Sequence, residues 1–119
     1  MIILITAAEN KLEAEVDPRF GRSKWFALYE TDDDSAEFVS NEQNLNAPSG
    51  AGVQAGANAA KTGAKVVITG NCGPKAFRAL DAAGIKVVIG ASGTVREAAE
   101  KFKNGECKYA TDANVEGHW

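Results

Sequence analysis

The sequence predicts an α/β domain whose sheet is at least partly parallel, and three observations predict it. Residues 2–7, 66–68 and 87–89 are short apolar runs without alternation, the pattern of strands covered on both faces. Between the last two runs, Pro74 suits a first helical position, and Ala76, Phe77, Leu80 and Ala83 recur at helical spacing before Gly84 supplies a left-handed stop. Glycine-rich corners, Gly70 to Gly73 and Gly90 to Gly93, follow the two later runs. A strand, a helix and a second parallel strand make one βαβ unit, and ligands of such sheets bind beyond the carboxyl ends of the strands.

Taken in order, residues 2–7 make a central strand that opens into a loop at 8–15. Asp17-Pro18-Arg19-Phe20-Gly21-Arg22-Ser23 follows, a connector broken by Pro18 and Gly21 that carries two guanidinium groups around an aromatic ring. Residues 24–30 and 36–40 read as an antiparallel hairpin. The aspartates 32, 33 and 34 between them match no calcium loop and are taken as turn formers. Residues 41–49 form a loop leading into a helix over 51–62, whose only large apolar residue is Val53. Gly52, Ala55, Gly56, Ala57, Ala59 and Ala60 allow close approach but contribute little burial, so this helix is expected to be a weak element. Strands at 65–69 and 85–89 flank a helix at 74–83. Thr94-Val95-Arg96-Glu97 is a capping box that starts a helix over 94–103, with Val95, Ala98, Ala99 and Phe102 on its buried stripe. Gly105 ends it, and 106–119 is a polar tail.

Size and charge narrow the function. A chain of 119 residues is read as one domain, 1–119, able to bury its own core. A net charge of −3 and the lack of any Lys/Arg run argue against nucleic acid as a partner. No stretch reaches membrane-spanning length, and the apolar start lacks a basic segment before it, so no membrane association is expected. Cys72 and Cys107 make no disulfide framework, which points to a reducing, cytoplasmic setting.

The chemistry is expected where the two glycine corners meet. Both follow neighbouring parallel strands, so both helix starts should face one crevice, with unpaired N–H groups and positive dipole ends receptive to an anion. Arg19 and Arg22 could close over it. Gly70, Asn71, Gly73, Ser92, Gly93 and Thr94 would line this cradle, with Phe20 and Gly21 in the arginine loop. Cys72 sits beside a helix start, where a thiol pKa falls and a thiolate can bind metal or act as a nucleophile; the plain alternative is a small buried residue. His118, the single histidine, is either a metal ligand or a solvated tail residue. Cys107 has no second ligand at short spacing. Cys72 to Arg78 satisfies the Cys-x5-Arg pattern of thiol phosphatases, but Pro74 lacks an N–H for a phosphate loop, and a helix starting there turns Arg78 away. Neither a dinucleotide fingerprint nor a Walker loop is present.

Asp17-Pro-Arg-Phe-Gly-Arg22, Thr69-Gly-Asn-Cys-Gly-Pro-Lys-Ala-Phe77, Gly93-Thr-Val-Arg-Glu-Ala98 and a Gly-His-Trp end resemble the dinitrogenase iron-molybdenum cofactor biosynthesis family over nearly the whole chain. The resemblance implies a three-layer, ribonuclease H-like fold with a mixed five-stranded sheet and helices on both faces. It does not imply nuclease activity, because the central strands lack the carboxylates that would hold two metal ions. It further implies binding rather than turnover, so not an enzyme, with an iron–sulfur or molybdenum/iron–sulfur cluster as cofactor or cargo. Proteins that donate or accept the cluster would be the partners. On that view Cys72 and His118 are the metal ligands. The alternative is a regulatory or interaction module that binds a small anionic ligand or a partner protein through the same crevice without metal.

Overall fold

Thr6 and Thr69 are buried at the ends of two central strands, and the pair they form explains how the carboxyl edge of the sheet is built. The computed structural model describes residues 1–41, 51–111 and 113, with backbone only at 51 and 52. Five strands, β1 (Ile2–Ala7), β2 (Trp25–Glu30), β3 (Ser35–Ser40), β4 (Val66–Ile68) and β5 (Lys86–Val88), form a sheet of order β3-β2-β1-β4-β5. β1 is antiparallel to β2 and parallel to β4, and β4 is parallel to β5, so the sheet is mixed. The helices are α1 (Ala51–Lys61), α2 (Pro74–Ala82) and α3 (Val95–Lys103).

Strand alternation divides the apolar side chains into two cores. Leu4, Phe26, Val67 and Val87 face one way and meet Ala55 and Ala59 of α1 and Ala76 and Leu80 of α2. Ile3, Ile5, Ala27, Val66, Ile68 and Val88 face the other way and meet Val95, Ala98 and Ala99 of α3. Because β1 and β4 lie inside the sheet with helices on both faces, almost every residue in them is buried, which is why their sequences do not alternate. The α/β class and the mixed five-stranded sheet are as the sequence predicts.

Differences are confined to ends and to α1. β4 and β5 are each three residues long, shorter than 65–69 and 85–89, although backbone hydrogen bonds from Thr69 N–H to Val88 O and from Ala91 N–H to Thr69 O carry the pairing a little past them. Val53 is 48% exposed, so α1 docks through alanines and glycine rather than through its large apolar residue. A Cβ placed on Gly56 would lie 2.8 Å from the Ala79 Cβ, and this closeness lets α1 seat on α2. The aspartate turn is as read: Asp33 Oδ1 accepts the N–H and O–H of Ser35, and Asp34 takes a left-handed φ of 57°. The loop expected over 41–49 lies, apart from Asn41, outside the described residues.

Candidate functional site

β4 and β5 run parallel and are followed by α2 and α3 on opposite faces, so both helices start at the carboxyl edge of the sheet. The long connector between β1 and β2 lies across that edge and touches both corners. On the α3 side, Val16 N–H donates to Gly93 O at 2.8 Å, and a bridge joins Glu15 to Thr94. On the α2 side, Arg19 bridges Asn71, Phe20 N–H donates to Asn71 O at 3.2 Å, and Asn71 Nδ2 donates to Pro18 O at 3.0 Å.

Buried polar groups hold the connector in place. Thr6 Oγ1 donates to Asp17 O at 2.7 Å and lies 2.9 Å from Thr69 Oγ1, while Asp17 N–H donates to Thr6 O. The Asp17 side chain accepts the Arg19 N–H at 2.9 Å and is also bonded by the Lys24 backbone; burial nevertheless leaves its carboxyl above the usual range. Phe20 is fully buried and stacks on Phe26 with ring centroids 5.8 Å apart. Gly70 completes the seat, since a Cβ there would lie 2.7 Å from Pro18 Cα.

These contacts sort the expected residues. Arg19 projects to solvent, with half its side chain exposed and its Nε 3.9 Å from Asp17 Oδ1. Arg22 is half-buried, Gly21 is buried, and Phe20 is a core side chain that fixes the loop. The two helix starts are not equivalent, contrary to the expectation of unpaired donors at both. At α3, Val95 and Arg96 N–H groups donate to Ala14 O and Leu12 O, and Glu97 N–H donates to Thr94 Oγ1. The Glu97 carboxylate accepts the Thr94 N–H in return, closing the capping box. The chain's own connector thus takes the α3 donors, and Gly93 and Thr94 are occupied with it. At α2, Gly73 provides no side-chain cap and Pro74 stands at the first position. Of the two helix starts, that of α2 is the one without a side-chain cap among the described residues, with Asn71 half-buried and the Arg19 backbone bridged to it.

The expected low pKa of Cys72 is overturned. Its side chain is fully buried against the α2 face of the sheet, and burial pushes the thiol up to about 12, outweighing the nearby helix start. In this conformation burial keeps the sulfur protonated and away from solvent. Arg78 is exposed on α2, so the thiol-phosphatase pattern has no geometry behind it. His118 lies outside the described residues, and among the described residues no group of three or more His, Cys, Asp or Glu side chains could hold a metal ion. No helix of the described residues is long and apolar enough to cross a membrane.

The family model for dinitrogenase iron-molybdenum cofactor proteins matches residues 1–105. The chain belongs to that family. Within the dinitrogenase iron-molybdenum cofactor family, the chain is similar to the apo form of the orange protein from Desulfovibrio gigas. The two are 42% identical over 96% of each chain, with a TM-score of 0.94. A putative NifB protein from Thermotoga, solved by NMR, is 31% identical over 98% of each chain with a TM-score of 0.83. A putative dinitrogenase from Methanocaldococcus jannaschii, 14% identical over 94% of this chain and 96% of that one, shares the fold with a TM-score of 0.69. Among curated proteins no relative matches.

The hydroxyl pair of Thr6 and Thr69, and the way Asp17 and Pro18 anchor the connector to this edge, are what a reading of the sequence passes over. The signal for the threonines is a hydroxyl closing each of two apolar runs at matched register, Ile5 pairing with Ile68 just before them.

Proposed function

We infer that the chain carries or scaffolds a metal–sulfur cluster, iron–sulfur or molybdenum/iron–sulfur, during metallocofactor assembly, and that it binds and hands on its cargo without turnover. One observation supports the placement above others: the connector's backbone is bridged at Arg19 to Asn71, three residues before α2, and the Arg19 side chain is exposed on that loop. A negatively charged cluster there would meet a helix dipole, with an exposed guanidinium on the adjoining loop able to reach it. Family membership, and a similar protein solved in an apo form, support the nature of the cargo. With Cys72 sealed, the hold is chiefly electrostatic, and His118 is the remaining candidate to ligate a metal. Such a hold suits a transferable cargo, since a firmly ligated cubane takes about four thiolates.

The test is anaerobic incubation with iron, sulfide and molybdate, then desalting, metal analysis and visible absorption. The parent chain and Cys72→Ala are expected to retain metal alike, whereas Arg19→Glu loses most of it and His118→Ala part of it. Equal retention by Arg19→Glu and the parent would end the reading. A second reading, a small anionic ligand or partner protein without metal, draws on the absence of a three-ligand group among the described residues. Thermal stabilisation by inorganic phosphate, with no metal retained, would favour it.

A further inference from the structure

On the α3 face, behind the Gly90–Gly93 corner, a cavity of about 320 Å³ opens between the end of β5, the middle of α3 and residues 106–108. Its outer wall is held by hydrogen bonds. Glu106 N–H donates to Lys101 O at 3.0 Å, and Ala110 N–H donates to Val87 O at 2.7 Å, so the segment after α3 runs beside β5. The floor is apolar, with Ile68 and Val88 from the sheet and Ala98 from α3. Around the mouth stand Lys101, Lys108, Glu106 and Cys107. Gly90 also lines the mouth, and a Cβ built on it would meet no atom within 4 Å.

Two features fix the kind of guest. The volume falls at the lower end of small-ligand sites, roughly 300–1,000 Å³, and an apolar floor favours an apolar body. Among the described residues neither Lys101 nor Lys108 is in an ion pair, while Glu106 accepts the Asn104 side-chain amide. Two ammonium groups against one carboxylate leave one net positive charge at the mouth. Burial and the Glu106 charge raise the Cys107 thiol, so it stays neutral and adds no negative charge of its own. A charged head cannot enter the apolar floor without losing its hydration, so it stays at the lysines while the body goes in.

We propose that this cavity is a binding site for a small amphipathic monoanion, a ring or short hydrocarbon body bearing one carboxylate or sulfonate. The site is separate from the Arg19 and α2 side of the rim and does not rest on the metal-cluster reading. Cys107 lies in the wall and Cys72 is fully buried, so a neutral thiol reagent reports on the cavity alone in the folded protein.

The test uses the full chain, metal-free, with 8-anilinonaphthalene-1-sulfonate as probe and N-ethylmaleimide as the thiol reagent, the modified residue being located by mass spectrometry. Saturating probe is expected to slow Cys107 alkylation about tenfold, and Lys101→Glu with Lys108→Glu to weaken probe binding about tenfold, while Lys61→Glu on α1 leaves it unchanged. Inorganic phosphate, a head without a body, is expected to give no protection. The proposal is overturned if the probe does not bind, if it binds while Cys107 alkylates at its unprotected rate, if the two lysine reversals bind it like the parent, or if phosphate protects equally. The protection measurement needs no substitution, so it decides the matter even where a variant fails to fold.

Discussion

Replacing Gly70 by alanine probes whether the connector truly seats on the β4 corner. The new methyl would lie 2.7 Å from Pro18 Cα and 3.0 Å from Pro18 O, where ordinary contact is 3.4–4 Å, and both obstacles are backbone. The loop must move outward by at least about 0.7 Å. The Phe20 N–H to Asn71 O bond is already 3.2 Å long, and such a shift would break it. Overpacking costs about 1–3 kcal/mol, and one lost hydrogen bond adds about 1 kcal/mol. The less flexible unfolded chain offsets about 0.4–1 kcal/mol of this. The net loss is about 1–3.6 kcal/mol, which at this chain length lowers the melting temperature by roughly 4–14 °C. Circular dichroism melting measures it, and the amide resonances of Arg19 and Phe20 should shift on the folded variant. A melting temperature within about 1 °C of the parent, with those resonances unmoved, would refute the seat.

Other expectations are checked more simply. In native protein one thiol, Cys107, should react with a thiol reagent at neutral pH, and both should react in denaturant, because Cys72 is sealed and its thiol pushed up to about 12; two native equivalents would contradict its burial. Thr94→Ala removes the acceptor for Glu97 N–H and should cost about 1 kcal/mol in urea unfolding, within the usual range of about 0.5–2. Asp17→Asn keeps an oxygen for the Arg19 N–H while removing a buried charge. Since burial raises the folded carboxyl, its stability contribution is full below the unfolded value of 3.8 and is lost as pH rises through the folded value. Unfolding free energies should therefore show the Asn variant gaining on the parent across that window and staying flat relative to it above. A gap that instead closes with rising pH would reverse the assignment.

How much was readable beforehand differs by element. The central strands, α2 and α3 follow from unbroken apolar runs, Pro74, Gly84 and the Thr94–Glu97 box, all local signals that tertiary packing reinforces. Strand lengths at β4 and β5 were overstated by one residue at each end, because the β-branched character of Thr69, Ile85 and Ile89 continues past the regular ladder. The site was half legible. The sequence marks a glycine corner and an arginine loop, but not that Leu12 and Ala14 give their carbonyls to α3, since backbone acceptors carry no sequence signature. Cys72 misled for a related reason: its neighbours announce a helix start, while its pKa is decided by burial in a core assembled from residues distant in sequence.

The placement of β1 has a consequence for how the protein is made. Lying just ahead of the β2–β3 hairpin in sequence, it can pair with that hairpin early, yet its other edge waits for β4, with Ile3 opposite Val66. Until then a nascent chain exposes an apolar strand with unpaired amides on one side, a template for unwanted association. Pairings of such sequence separation also slow folding. Refolding should accordingly be most prone to aggregate in fragments that stop before residue 66, and a chaperone that shields β1 would be most useful during that interval.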